Sequence, residues 1–164
     1  MDLDTFWQII SDTRADAADE SEHADALTEH LVGLTPGEIA DFDRHYEEQK
    51  IRSCTWLLWG AGHLVNGGCS DDGFDYFRDW LIGAGRTLFE QALADPDSLA
   101  GLLTPDQEEL EAGDLGYAAG QAYQQITGEE LPDNGITFGS PTGEPWEDDD
   151  LAALLPRLSA RFAE

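Results

Sequence analysis

A chain of 164 residues with 35 acidic and 8 basic side chains, net charge −27, fits one domain able to bury a core without disulfides or metal. It lacks the clustered bases that a direct nucleic-acid footprint needs. No stretch approaches the roughly 20 apolar residues that span a bilayer, and the acidic start MDLDTFWQII has neither the basic nor the apolar region of a leader. A soluble cytoplasmic protein, off the membrane, is the expectation, with its two cysteines, Cys54 and Cys69, as free thiols.

Helices punctuated by caps are the dominant pattern. Asp4 is positioned to cap a first helix with Phe6, Ile9, Ile10 and Thr13 on one face and Leu3 as its staple. Ser21 or a neighbour opens a second helix, in which Ala24, Leu27 and Leu31 recur before Gly33 stops it. Thr35-Pro36-Gly37-Glu38 is the clearest start, with an N-cap, a proline at the first helical position and a capping-box glutamate ahead of Ile39, Phe42 and Tyr46. This helix is predicted to run on through Trp56, Trp59 and His63, with an interruption near Ser53.

Asn66-Gly67-Gly68 must turn, because adjacent glycines are costly in a helix and suited to positive φ. Ser70 then caps a second long arm with Phe74, Phe77, Leu81 and Leu88 on its core face, so residues 52–90 form a helical hairpin with the loop at its tip. Thr104-Pro105-Asp106-Gln107 repeats the capping grammar before a helix carrying Leu115, Ala119, Ala122 and Ile126. Between residues 128 and 150, six glycines and prolines from Pro132 to Pro145 forbid a long helix, so an irregular loop is predicted, with an extended piece at Ile136–Phe138 and Trp146 pinning it to the core. Glu147 to Asp150 opens the terminal helix, 150–163, which Pro156 kinks or splits. The fold class is therefore mainly α: one domain, 1–164, a helical bundle with a central hairpin and one long irregular loop near the C-terminus.

The charge is uneven. Residues 1–50 hold 14 acids and 3 bases, 51–100 hold 7 and 3, and 101–164 hold 14 and 2, so the central segment is the least acidic and belongs inside the fold. Lys50 is the single lysine against seven arginines, which points to a biased genome or a salt-adapted source. A nucleic-acid mimic would need the acids focused on one face.

The chemically able side chains gather between Trp56 and Glu90. Trp56, Trp59 and His63 share a helix face, with Gly60 and Gly62 making room beside them; this is either a core stripe or an aromatic-walled pocket with a titratable rim. Ser70, Asp71 and Asp72 suit a helix start, and a Cys69 sulfur aimed at the free amides there would have a lowered pKa. Cys69 and His63, with Asp71 or Asp72, are the candidate catalytic set, although no third orienting group is visible. Asp71-Asp72-Gly73-Phe74-Asp75 is similar to the aspartate-rich pattern of prenyl-diphosphate enzymes, which implies a magnesium bridge; the second metal motif of those enzymes has no counterpart here, and no metal or cofactor is expected. Arg78 can pair with Asp75 as an exposed helix pair, while Arg86, flanked by Gly83 and Gly85, is the better anchor for an anionic group or else a buried tie between helices.

The run LVNGGCSDDGFDYFRDWLIGAGRTLFE and the preceding WLLWGA resemble the single-domain proteins grouped as domain of unknown function 4240. The resemblance covers the chain through about Ala100, implies a small, mostly helical domain, and brings no activity or site residues with it. On the residues, the expected function is binding of a small ligand or protein partner at the 66–73 loop tip through Trp56, Trp59, His63, Asn66, Asp72 and Arg86. The alternatives are a small enzyme using His63, Cys69 and Asp71 or Asp72, and an acidic inhibitor of the immunity or nucleic-acid-mimic kind.

Overall fold

The computed structural model describes residues 1–103 and 110–162. Its first helix, α1 (Leu3–Arg14), is capped by Asp2 rather than Asp4: the Asp2 carboxylate accepts the Thr5 amide at 2.8 Å. Asp4 falls inside the first turn, where its charge still suits the helix dipole. Helix α2 (Glu20–Val32) starts on Asp19, whose carboxylate takes the Glu22 amide at 2.8 Å, and Gly33 is its C-cap. In α3 (Pro36–Arg52) both halves of the capping box form: Glu38 N donates to Thr35 Oγ1 at 3.2 Å and Thr35 N donates to Glu38 at 2.9 Å.

The interruption falls at Ser53, whose hydroxyl turns back onto the carbonyls of Gln49 and Lys50, at 2.9 and 3.0 Å, and competes with helix continuation. Helix α4 (Trp56–Val65) restarts on Thr55. Gly67 and Gly68, with φ of 68° and 127°, make the turn, and Ser70 caps α5 (Asp71–Gly83) by accepting the Gly73 amide at 3.1 Å. The second arm is not one long helix, because Gly85 takes φ of 102° and starts α6 (Arg86–Ala94) in a new direction. Phe74, Phe77 and Leu81 are buried on α5, and Leu88 is half-buried on α6.

A 3-10 turn, Pro96–Ser98, leads into the short α7 (Leu99–Leu102). The capping sequence at Thr104–Gln107 lies outside the described residues. A second 3-10 turn, Gly113–Tyr117, precedes α8 (Ala118–Thr127), which buries Ala118, Ala119 and Ala122 while Ile126 stays exposed. The irregular segment follows as expected, but no strand forms over Ile136–Phe138: the Ile136 amide is taken by the Asn134 side chain at 2.9 Å, and Phe138 is 52 % exposed with no neighbouring strand. Among the described residues, an isolated extended pairing lies instead between Thr55 and Thr142. Pro156 does split the terminal helix, into α9 (Leu151–Leu154) and α10 (Pro156–Phe162).

Helix α8 packs against α2 and α3, α1 against α2, α3 and α5, and α10 against α4 and the Pro96–Ser98 turn. Phe6, Phe42, Phe77, Phe89, Leu27 and Leu81 are fully buried among them. No described helix is long and apolar enough to cross a membrane.

Candidate functional site

The first arm of the hairpin presents its aromatic face as the i, i+3, i+7 spacing requires. Trp56 stacks on Trp59 (centroids 5.2 Å apart, planes within 6°), and Trp59 stacks on Phe74 of α5 (4.9 Å, 9°). The Arg78 guanidinium lies over the far side of this column, 4.6 Å from the Phe74 centroid. The Trp59 indole donates to the Cys69 carbonyl at 2.8 Å, so the ring also ties the hairpin tip to its first arm.

Residues 142–150 cross this arm as a strap. Trp56 N donates to Thr142 O at 2.9 Å and Thr142 N to Cys54 O at 3.0 Å, which fixes the strap beside the start of α4. Trp146 then sits against Trp56 at 89° and 6.5 Å and against His63 at 5.4 Å, while its indole N–H donates to the Trp56 carbonyl. The space is provided by Gly60: a Cβ there would meet Leu151 Cδ2 at 2.8 Å and the Trp146 indole nitrogen at 3.2 Å. Past Trp146, Asp148 Oδ1 comes within 3.6 Å of His63 Nε2, and the imidazole is 29 % exposed.

On the other side of the strap a cleft of about 590 Å³ opens, lined by Thr55, Leu57, Thr142 to Pro145, Asp150, Ala153 and Leu154. Leu154, on the wall of this cleft, is 47 % exposed. A second cleft of about 600 Å³ lies between α3, the Gly116–Gln124 stretch and the loop at 130–136. Burial there pushes the carboxyl of Asp43 up, against a 3.0 Å hydrogen bond from Asn134; burial, then the charge of Asp43, does the same to Glu47.

The candidates at the tip itself are held by other parts of the fold. Asn66 spends its side chain on the Leu110 backbone, accepting the amide at 2.9 Å and donating to the carbonyl at 3.5 Å. Asp71 and Asp72 are exposed in the first turn of α5. Arg86 follows the 13-residue α5, which sets it about 20 Å from the tip. It is exposed, not a buried tie, and pairs with Asp4 across the surface at 2.7 Å. The Cys69 sulfur is not activated by the helix start: burial, then the charge of Glu111, pushes the thiol up to about 11. Both cysteines are free, and among the described residues no hydrogen bond joins Cys69 to His63 and no three His, Cys, Asp or Glu converge as a metal site would need.

The polar centre that sequence reasoning missed lies beneath the aromatic column. Lys50, 7 % exposed in its side chain, donates to Asp79 Oδ1 at 2.9 Å and to the Asp75 carbonyl at 3.0 Å, and pairs with Asp75 Oδ1 at 2.6 Å. Tyr46 donates to the same Asp79 oxygen at 2.5 Å, and Arg78 donates to the Lys50 carbonyl at 2.8 Å and to Asp75 at 3.2 Å. Arg78 therefore makes the local pair with Asp75 that its spacing suggested, but it is buried rather than exposed and also bridges α5 to α3. Lys50 is thus held by two hydrogen bonds and a further ion pair, all to α5, and the cluster fastens α3 to α5. A signal was present in the sequence: Lys50 lies four residues after Tyr46 and so continues the core face of α3.

No curated protein and no solved structure matches this chain. The profile of the family described as protein of unknown function DUF4240 matches residues 1–125, which span α1 to most of α8 and include the whole hairpin but not the strap, and the chain belongs to that family.

Proposed function

We propose that this protein is a binding protein whose site is the cleft at Leu57 and Leu154, where the strap crosses the first arm of the hairpin. The observation that carries this reading is the apolar-walled cleft of about 590 Å³, a volume in the range of small-molecule sites, which are mostly apolar with a few placed polar groups. It is built by segments nearly ninety residues apart, Thr55–Leu57 and Thr142–Leu154, about a scaffold whose aromatic rings are already stacked. The hairpin thus supplies the rigid wall, while its tip lines neither this cleft nor the acidic one. Binding is favoured over catalysis because the raised thiol of Cys69 leaves the candidate nucleophile largely protonated at neutral pH.

Titration with 1-octanol, followed by the methyl resonances of Leu57, Ala153 and Leu154, tests the reading. Saturable shifts at those methyls, lost in Leu154→Asp while the rest of the spectrum is preserved, are expected. No saturable shift, or the same shifts in the variant, overturns the site.

A further inference from the structure

The polar groups of the same cleft constrain what it takes. Its walls are Leu57, Pro145, Ala153 and Leu154, its hydroxyls are those of Thr55 and Thr142, and its two charged side chains are Glu144 and Asp150. No basic residue lines it. Asp150 accepts the Glu147 amide through Oδ2 at 2.9 Å, and Glu144 makes no hydrogen bond or ion pair among the described residues. Residues 144–150 contain five acids and no base, so the negative potential at the mouth is unopposed from the strap itself. The bases nearest the lining along the chain are committed elsewhere, Arg157 to Asp95 and Asp97 at 3.1 and 3.2 Å and Arg52 to Glu90 at 2.8 Å.

We propose that this cleft selects a cationic amphiphile: an alkyl or aryl amine whose hydrocarbon end lies among Leu57, Pro145, Ala153 and Leu154 and whose ammonium group meets Glu144 and Asp150. The inference rests on the binding reading above and adds the ligand class to it. Apolar contact supplies affinity for any compound of the right shape. Charge supplies the selection, because an ammonium gains two carboxylate partners while a carboxylate brought to the same place meets two like charges. The partners are solvent-exposed, so the preference is modest, about threefold to tenfold over the neutral compound in dilute buffer. It declines as salt shortens the screening length.

The test is a parallel titration of the whole chain with n-octylammonium, 1-octanol and octanoate at low and at physiological salt, read at the Leu57, Ala153 and Leu154 methyls, with Glu144→Gln and the Glu144→Gln/Asp150→Asn double variant alongside. The expected order of affinity is ammonium, alcohol, carboxylate, with the ammonium preference reduced by salt and abolished in the double variant while octanol binding is unchanged. Equal affinity for octanol and octylammonium overturns the ligand class and leaves the binding site standing. Absence of saturable shifts with all three compounds overturns both. Octylammonium shifts scattered over the acidic surface, with the cleft methyls unmoved, overturn the assignment to this cleft.

Discussion

Asp79 is the group whose titration most directly tests the packing of α3 on α5. It is 2 % exposed, and its Oδ1 accepts from both Tyr46 and Lys50. Burial nevertheless wins: it pushes the carboxyl up to about 6, against the charge of Lys50 and the hydrogen bonds from Tyr46 and Lys50, with the neighbouring Asp75 adding to the rise. The folded state therefore holds this proton more tightly than the unfolded chain, and stability falls as pH rises from about 4 to about 6 and is flat beyond. A rise of roughly two units corresponds to about 3 kcal/mol in all. Asp79→Asn keeps the shape of the protonated acid and cannot ionise, so the stability of the natural chain relative to the variant measures this one group while the other carboxylates cancel. Urea unfolding followed by circular dichroism at pH 4.5, just above the sequence pI of about 4.1, and at pH 7.5 spans most of the window. The natural chain is expected to lose about 2 kcal/mol relative to the variant between those two values. A relative stability that rises with pH would refute the reasoning, because it would mean that the Lys50 charge outweighs burial.

Three further outcomes follow from named contacts. Gly62→Ala places a Cβ 2.9 Å from the fully buried Phe77 ring, and the overpacking should cost about 1–3 kcal/mol, seen as a lower urea midpoint; a gain in stability from the better helix former would show that the ring has room to move. Asp97 caps α10 from across the fold, accepting the amides of Arg157 and Leu158 at 3.1 and 2.9 Å. Asp97→Ala should cost about 1–2 kcal/mol and speed amide exchange at Leu155 and Leu158; unchanged exchange there would remove Asp97 from the anchoring of the C-terminal helices. Burial pushes the Asp97 carboxyl up, but the bonds from Leu158 and Arg157 outweigh it and hold the group below its ordinary range, so its contribution is present above the unfolded value and is lost as pH falls through the folded one. Cys69, pushed up to about 11 from an ordinary 9.0, should carry about a hundredfold less thiolate than a free thiol near neutral pH and react correspondingly slowly with a disulfide reagent. A rate equal to that of free cysteine would mean that the sulfur is not buried against Gly73 and Glu111.

Much of this molecule was written in stretches of four or five residues. Thr35 and Glu38 form their capping box, Gly67 and Gly68 turn, Ser70 starts α5 and Pro156 splits the last helix, because each is a contest among neighbouring backbone groups that no distant contact needs to settle. The shared face of Trp56, Trp59 and His63 was legible for the same reason, since helical spacing alone brings those side chains together. Asp2 and Asp19 displaced the expected caps by a residue or two, where several acids offered the same carboxylate to the same amides. Tertiary structure alone decided what meets that face: Trp146 reaches back ninety residues to the Trp56 carbonyl and fits because Gly60 leaves space, and Asp97 caps a helix sixty residues away. It also put Asn66 on Leu110 and Arg86 on Asp4, and paired the one lysine with Asp79. Such pairings depend on the register in which finished helices pack, and that register is set by volume and close contact summed over the whole core, which no local run of residues encodes.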